Sequence, residues 1–538
     1  MKYIVVTGGV ISGLGKGITT ASIGRNLKNR GYAVTAIKID PYLNVDAGIM
    51  SPLQHGEIFV LNDGGEVDLD LGNYERFLDI NLTDDHDITN GVIYSAVINR
   101  ERKGEYLGKT VQIIPHITNE IKNRIRKAGS KSKADVCLIE IGGTVGDIES
   151  MSFLEAVRQM KTEEPHGNMI FVHVTLAFDD TQGEQKTKPT QHSVKELRAI
   201  GLSPDFIVVR STLPLKKETK EKISLFCDVS KDCVVSTYNV PNLYEVPVIL
   251  EKQGVTDKII KSLGLPPKNK NEKVDTKWCS MVAKMNKIRE MPDDTALHAV
   301  IVGKYTDLAD SYISVFEAVK HGSTENNVKV VLDLISSESL ESDDAALNKL
   351  DKYDGVIVPG GFGERGSDGI VKAIRHIREK DIPFLGIGFG MQLAVVEFAR
   401  NVAGLKNANT TELDETTKYP VVDVISENND GTGFSGTMRL GEFEIKLADK
   451  TLAKKIYKKE TITGRYRNRY EANSDYTKIL EQKGLVFSGD IKGAKQTLEL
   501  PDKKFFFAVQ YHPEFKSRPD KAEPSFAAFV KAMKENRK

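Results

Sequence analysis

Residues 1–27 read MKYIVVTGGVISGLGKGITTASIGRNL, and this stretch decides the fold class. The run YIVVT (3–7) is apolar and β-branched, as a buried strand requires, and glycines carry it straight into a segment with helical spacing. A strand, a glycine loop and a helix in that order make a phosphate loop: backbone N–H groups converge, the helix N-terminus adds positive potential, and Lys16 supplies a point charge. The spacing is unusual. Gly9 lies one residue further from Gly15-Lys16 than G-x-x-x-x-G-K allows, and Gly17 stands where a Ser or Thr hydroxyl ordinarily holds Mg²⁺. Carboxylates then have to compensate, and the candidates are Asp70 in EVDLDLG and Glu140, which ends VCLIE just before GGTVGDIES.

Further apolar runs, VTAIKI (34–39), VCLIEI (136–141), MIFVHV (169–174) and FIVVR (206–210), alternate with helical patterns. Such a series predicts a mostly parallel, doubly wound sheet covered on both faces. Lys38 ends one of these strands and needs an anion beside it if it is buried. In EQKTKPTQHS (184–193), Lys186 and Lys188 flank hydroxyls and a proline, which suits a second anionic ligand. Beyond LGLPP (263–267) the polar stretch KNKNEKVDTK reads as a linker, with a short helix expected at 278–289. The pattern then restarts with HAVIVGK (298–304), VKVVLDLI (328–335), DGVIVPGG (354–361) and IPFLGI (382–387). The expected organisation is an α/β domain at 1–265, a linker at 266–296 and a second α/β domain at 297–538.

At 538 residues the chain is too long for one hydrophobic core. Its 75 Lys+Arg balance 75 Asp+Glu, so no overall field favours nucleic acid or an anionic membrane, and phosphate binding must be local. The opening strand has none of the features of a signal peptide, and a cytoplasmic location is expected. The cysteines, Cys137, Cys227, Cys233 and Cys279, show no C-x-x-C spacing, which argues against a zinc site or a disulfide framework.

The segment GIGFGMQ (386–392) turns from an apolar run into a helical one through glycines, as a nucleophile elbow does. Its central residue is Gly388, which has no side chain, and no cysteine follows residue 280 to replace it. His512 and Glu514, just past FFFAVQ, match a general base and its orienting carboxylate.

TGGVISGLGKG, IKIDPYLNVDAG, DLDLGNYERF, EIGGTVGDIES and KTKPTQHSVKEL together resemble the CTP synthase family. VPGGFGERG, GIGFGMQ, RYRNRYEAN and VQYHPEF resemble class I glutamine amidotransferases. The resemblance implies phosphorylation of the uracil O4 of UTP by ATP and Mg²⁺, then displacement of that phosphate by ammonia from glutamine to give CTP. It implies that Gly13, Leu14, Gly15, Lys16, Gly17 and Ile18 cradle ATP with Asp70, that Asp70 and Glu140 hold the metal, and that Lys16 and Lys38 serve the chemistry. UTP, or CTP as inhibitor, falls to Ser12, Asp147, Ile148, Glu149, Lys186, Thr187, Lys188, Pro189, Thr190, Gln191 and Lys222. A homotetramer is implied, filaments are compatible with it, and GTP is implied as an activator acting through the segment of Arg102 and Leu107.

For glutamine the resemblance implies Gly361, Phe389, Gly390, Met391, Gln392, Glu412 and Arg469. Backbone N–H groups of Gly361 and Phe389 would serve as oxyanion donors, and Glu412 and Arg469 suit the α-amino and α-carboxylate groups. The departure is the elbow, which in the amidotransferase family reads G-x-C-x-G. With Gly388 at the cysteine's position, glutamine is expected to bind without being hydrolysed, and free ammonia to support synthesis. Rival readings are a partition-type ATPase, a filament scaffold and a dethiobiotin-synthetase-like carboxylase. The KTKPTQ segment and the second domain separate the chain from them.

Overall fold

Strand β1 (Lys2–Gly8) runs into helix α1 (Lys16–Asn29), as the opening stretch predicts. The computed structural model describes all residues except 269–275, 342–343, 426–437 and 538. They form two units, Met1–Ile49 with Val67–Ala283 and Met50–Glu66 with Lys284–Lys538.

The first unit is built on a seven-stranded sheet. Its other strands are β2 (Val34–Asp40), β3 (Asp87–Thr89), β4 (Val136–Ile141), β5 (Met169–Leu176), β6 (Phe206–Ser211) and β7 (Val234–Tyr238), in the order β7-β6-β5-β1-β4-β2-β3. Every pairing is parallel. Ile4, Val5 and Val6 are fully buried, which explains why the strand reads as a continuous apolar run with no alternation. Strand order reverses at β1, and a crevice at the carboxyl ends of the strands is where such sheets bind ligands. Helices α2 (Leu69–Leu78) and α3 (Lys188–Ala199) bring EVDLDLG and KTKPTQ into this unit.

His173, in the middle of β5, is wholly enclosed. Burial, and secondarily the charge of Lys16, lower its pKa from 6.5 to about 3. An unfolded chain would protonate this ring near pH 6.5 while the folded chain does not. Its contribution to stability is therefore complete above that pH and is lost as the pH falls toward 3. Thermal unfolding followed from neutral pH to about pH 4 should show a shallower acid decline in H173Q than in the parent.

The second unit is mixed. Its nine-stranded sheet contains β8 (Leu297–Gly303), β9 (Val330–Ser336), β10 (Gly355–Val358), β11 (Phe384–Ile387), β12 (Arg439–Leu447), β13 (Thr461–Asn468), β14 (Val486–Ile491), β15 (Ala494–Glu499) and β16 (Phe506–Val509). The order is β9-β8-β10-β11-β16-β15-β14-β12-β13, parallel up to β16 and antiparallel beyond it. The sequence reading anticipated the parallel half.

The organisation differs from the expected one in one place: residues 50–66 fold with the second unit. Helix α4 (Thr276–Arg289) covers the short helix expected at 278–289. The helix is anchored by Trp278, which is buried against Phe77 and Tyr244, donates its indole N–H to Tyr244 O at 2.9 Å and lies under the Arg25 guanidinium. Among the described residues, no helix is long and apolar enough to cross a membrane.

Candidate functional site

The glycine loop between β1 and α1 is shaped by backbone conformation. Gly13 and Gly15 have φ of +73° and +85°, a region that side chains rarely enter. A Cβ at Gly17 would overlap Asp70 Oδ1. The carboxylate of Asp70 thus occupies the space into which a Ser or Thr at position 17 would project. Asp68 caps α2 by accepting from the Asp70 N–H at 2.8 Å, and this fixes where Asp70 points.

Lys38 sits at the centre of this cluster, 6% exposed. Its ammonium contacts Asp70 and lies 3.5 Å from Asp40, 3.5 Å from Asp68 and 3.7 Å from Glu140. Burial opposes its charge, but the surrounding carboxylates hold its pKa well above the ordinary lysine value. Burial also works against ionised Asp70, yet Lys38 keeps that carboxyl below the usual range. Glu140, enclosed and hydrogen-bonded by the Tyr74 hydroxyl, is pushed up to about 7 by burial. Lys16 reaches across the loop to Gly143 O at 2.6 Å, and burial lowers its pKa. Among the described residues, no group of three His, Cys, Asp or Glu side chains has the geometry to hold a metal by itself. A Mg²⁺ carried on a polyphosphate keeps waters and takes one or two carboxylates, a requirement that Asp70 and Glu140 fit.

The second basic cluster is assembled only in part. Lys186 pairs with Asp180 at 2.9 Å and Glu184 at 2.5 Å, and Lys222 stands 4.0 Å from the same Glu184. Lys188 and Pro189 open α3, Gln191 donates to Thr187 Oγ1 at 3.0 Å, and Thr190 is buried. Ser12 is exposed in the glycine loop. Asp147, Ile148 and Glu149 are exposed; Asp147 Oδ2 accepts from the Thr144 N–H and Glu149 O from the Asn90 side chain, both at 3.0 Å. Among the described residues, no hydrogen bond or ion pair joins them to the Lys186 cluster. Arg102 and Leu107 are both exposed, Leu107 at 88%.

In the second unit, β11 turns through Gly388 into helix α5 (Phe389–Asn401). Gly388 has φ 54° and ψ −108°, the sharp bend of an elbow in a region that side chains rarely enter. A Cβ at this position would lie 3.3 Å from His512 Nε2. The other ring nitrogen, Nδ1, is 2.7 Å from Glu514 Oε1, so the ring is held with Nε2 toward the elbow. Gly360 is a glycine of necessity, because a Cβ there would meet His512 Cε1 at 2.7 Å.

Around this point lie Gly361, whose added Cβ would be 3.6 Å from the Phe389 ring, and the first turn of α5 with Phe389, Gly390, Met391 and Gln392. Gln392 donates to Tyr470 O at 2.9 Å, and its Oε1 has no partner among the described residues. Glu412 accepts from the Gly363 N–H at 2.7 Å, and burial raises its pKa. Arg469 is exposed and makes no ion pair among the described residues.

Sequence reasoning missed several residues here. Lys304, 5% exposed, directly follows β8 and donates to Phe362 O at 3.0 Å, to Gly363 O and to Ser367 Oγ at 2.9 Å, with its ammonium 4.3 Å from the Phe389 ring centre. It ties the VPGGFG loop to α5, and burial lowers its pKa to about 8. The other group comes from residues 50–66. Arg465 O accepts from the His512 N–H at 2.7 Å, while the Arg465 guanidinium donates to Val60 O at 3.0 Å and Asn62 Oδ1 at 2.5 Å. Phe515 stacks on the His512 ring at 5.2 Å, and Phe59 packs edge-on against Phe515 at 4.9 Å. The histidine is therefore braced by chain that belongs, in sequence, to the first half.

Residues 2–265 match the family described as CTP synthase N-terminus, and residues 307–532 match glutamine amidotransferase class-I. The CTP synthase of Methanosarcina mazei is 60% identical over 100% of this chain and 99% of its own length. That of Methanosarcina acetivorans is 59% identical over 99% and 98%, and that of Thermococcus gammatolerans 56% over 100% and 99%. Among solved structures, the Trypanosoma brucei CTPS glutaminase domain with bound acivicin is 34% identical, covering 45% of this chain and 95% of that one with a TM-score of 0.42. With both halves matched in order and more than half of the residues shared along the full length, the chain belongs to the CTP synthase family, ligases that aminate UTP to CTP with nitrogen drawn from glutamine.

Proposed function

We propose that this member makes CTP from UTP, ATP and free ammonia, and that its amidotransferase half binds glutamine without cleaving it. The observation that carries this reading is the empty position at Gly388, with His512 Nε2 facing it and Glu514 holding the ring. A thioester cannot form where no sulfur exists, and neither a glycine nor a histidine so placed replaces it. In the synthetase half, the O4 of UTP takes the γ-phosphoryl group of ATP as the bond to ADP breaks. Ammonia then adds at C4, loses a proton, and phosphate departs with the C–O electron pair.

Transfer of this kind needs position and charge neutralisation more than covalent participation. The loop from Gly13 to Ile18 cradles the ATP phosphates, and Lys16 and Lys38 place positive charge where negative charge gathers. Asp70 and Glu140 would hold Mg²⁺, which neutralises the polyphosphate when bound. Lys186 to Gln191 and Lys222 receive the triphosphate of UTP or of CTP as inhibitor, with Ser12 and Asp147 to Glu149 completing that site. GTP as activator, a tetrameric assembly and a cytoplasmic location go with the family reading.

The test is CTP formation assayed separately with ammonium and with glutamine. The retained pocket has its own measurement. By calorimetry, glutamine should bind the chain as it stands, and Arg469→Met or Glu412→Gln should each weaken it about 10- to 100-fold, as expected for losing one charge-assisted contact.

A further inference from the structure

The two N–H groups assigned to the oxyanion come from different elements. Gly361 lies in the loop that follows β10, Phe389 opens α5, and neither N–H has an acceptor among the described residues. A third element joins them. The ammonium of Lys304 lies 3.0 Å from Phe362 O and 2.9 Å from Ser367 Oγ and also donates to Gly363 O, so its three protons are all used, while the Phe389 ring centre is 4.3 Å away. Its stem passes close to Gly361: a Cβ there would stand 3.6 Å from both Lys304 Cδ and Phe389 Cδ1. The backbone of Lys304 is fixed in turn, since its N–H donates to the Tyr312 hydroxyl at 3.0 Å and a Cβ at Gly303 would overlap that same hydroxyl.

An ammonium buried among three oxygen acceptors holds them by charge-assisted hydrogen bonds, which are stronger than neutral ones. A methionine in its place would leave two loop carbonyls without that donor and free the loop to shift against α5. Oxyanion donors act when both stand about 2.7–3.1 Å from the oxygen as its charge develops, so a small shift of one is felt in the transition state far more than in bound substrate. The α-amino and α-carboxylate contacts of glutamine are assigned to other side chains, Glu412 and Arg469.

We propose that Lys304 is a positioning residue of the amidotransferase half, fastening the Gly361 loop to the start of α5 so that both N–H groups meet the same oxygen. This rests on the reading of the elbow as an acyl-transfer site. The fastening is sensitive to pH. Burial lowers the Lys304 pKa to about 8, and loss of that proton removes one of the three hydrogen bonds. The charged groups facing it are Glu412, Arg365, Glu341 and Glu338, while the neighbouring Tyr305 and Tyr312 hydroxyls are raised by burial and stay neutral in that range.

The experiment measures glutamine- and ammonium-dependent CTP formation by the full chain carrying G388C and takes the ratio of the two kcat values, which cancels any general loss of folded protein. Adding K304M should lower that ratio about 10- to 100-fold near neutral pH while moving the KM for glutamine by less than about threefold. Above about pH 8 the ratio should decline in G388C and show no such decline once K304M is added. S367A, which removes one acceptor of the ammonium, should cost about 3- to 10-fold and be non-additive with K304M. An undiminished ratio with K304M, a loss carried by KM alone, an alkaline decline that survives K304M, or additive S367A and K304M effects would each overturn the role of Lys304. If the K304M protein does not fold, the S367A loss and the alkaline decline in G388C decide. A G388C protein that binds glutamine in calorimetry without turning it over overturns the reading of the elbow and this role with it, whereas an active G388C protein unimpaired by K304M overturns this role alone.

Discussion

Given UTP, ATP, Mg²⁺ and an ammonium salt, the protein should form CTP, and given glutamine in place of ammonium it should form none. Removing the nucleophile of an acyl-transfer site that works through a covalent intermediate typically lowers the rate about 10⁴- to 10⁶-fold. The glutamine-dependent rate should therefore lie at least about 10⁴-fold below the ammonium-dependent one. G388C should restore it, since the bend, the histidine and its carboxylate partner are already in position. Restoration has a cost. A side chain at φ 54° is strained by roughly 1–3 kcal/mol, and His512 must give way by a few tenths of an ångström where the new Cβ approaches to 3.3 Å. G388C should thus unfold at a lower temperature while gaining an activity. CTP from glutamine in the parent chain would refute the account of the elbow. A G388C protein that uses ammonium yet still ignores glutamine would show that His512 is not its base.

The second large effect is expected at Lys38. K38M removes an ammonium that lies within 4 Å of Asp40, Asp68, Asp70 and Glu140 together, and leaves those carboxylates facing one another. Breaking a buried charge cluster from one side costs about 3–5 kcal/mol, because the remaining charges are left uncompensated. Activity should fall further than stability requires: charge that neutralises a transferring phosphoryl group is worth about 10³-fold or more. Chemical denaturation and ammonium-dependent kinetics at low temperature separate the two effects. A K38M protein with parental kcat would remove Lys38 from the chemistry, whatever its stability.

The parallel strands, the glycine loop and the elbow were legible because each is a local pattern: apolar runs, glycines and helix starts lie within a few residues of one another. The place of Asp70 was legible by elimination, since Gly17 lacks a side chain and the carboxylate fills the space one would take. Lys304 was open to the same reasoning as Lys38, a lysine closing an apolar strand, but its partners are backbone carbonyls of a glycine loop and leave no mark in composition. The strands from Arg439 onward were not legible. In β12, buried positions alternate irregularly with half-exposed and exposed ones, and a sheet wetted on one side gives a weaker sequence signal than one buried on both. Phe59, Val60 and Asn62 could not be placed at all, because what they touch lies some 400 residues further along the chain.

That last contact bears on how such a chain can be taken apart. Residues 50–66 leave the first sequence block and return to it, yet fold with the second. A gene truncated to begin after the polar stretch near 270 would encode the whole elbow and its histidine, but without the acceptors that Val60 and Asn62 offer Arg465 and without the ring of Phe59 behind Phe515. The two halves are therefore not interchangeable cassettes: a chimera between relatives has to carry this short insert across with the distant C-terminal portion, or place His512 on a scaffold that no longer supports it.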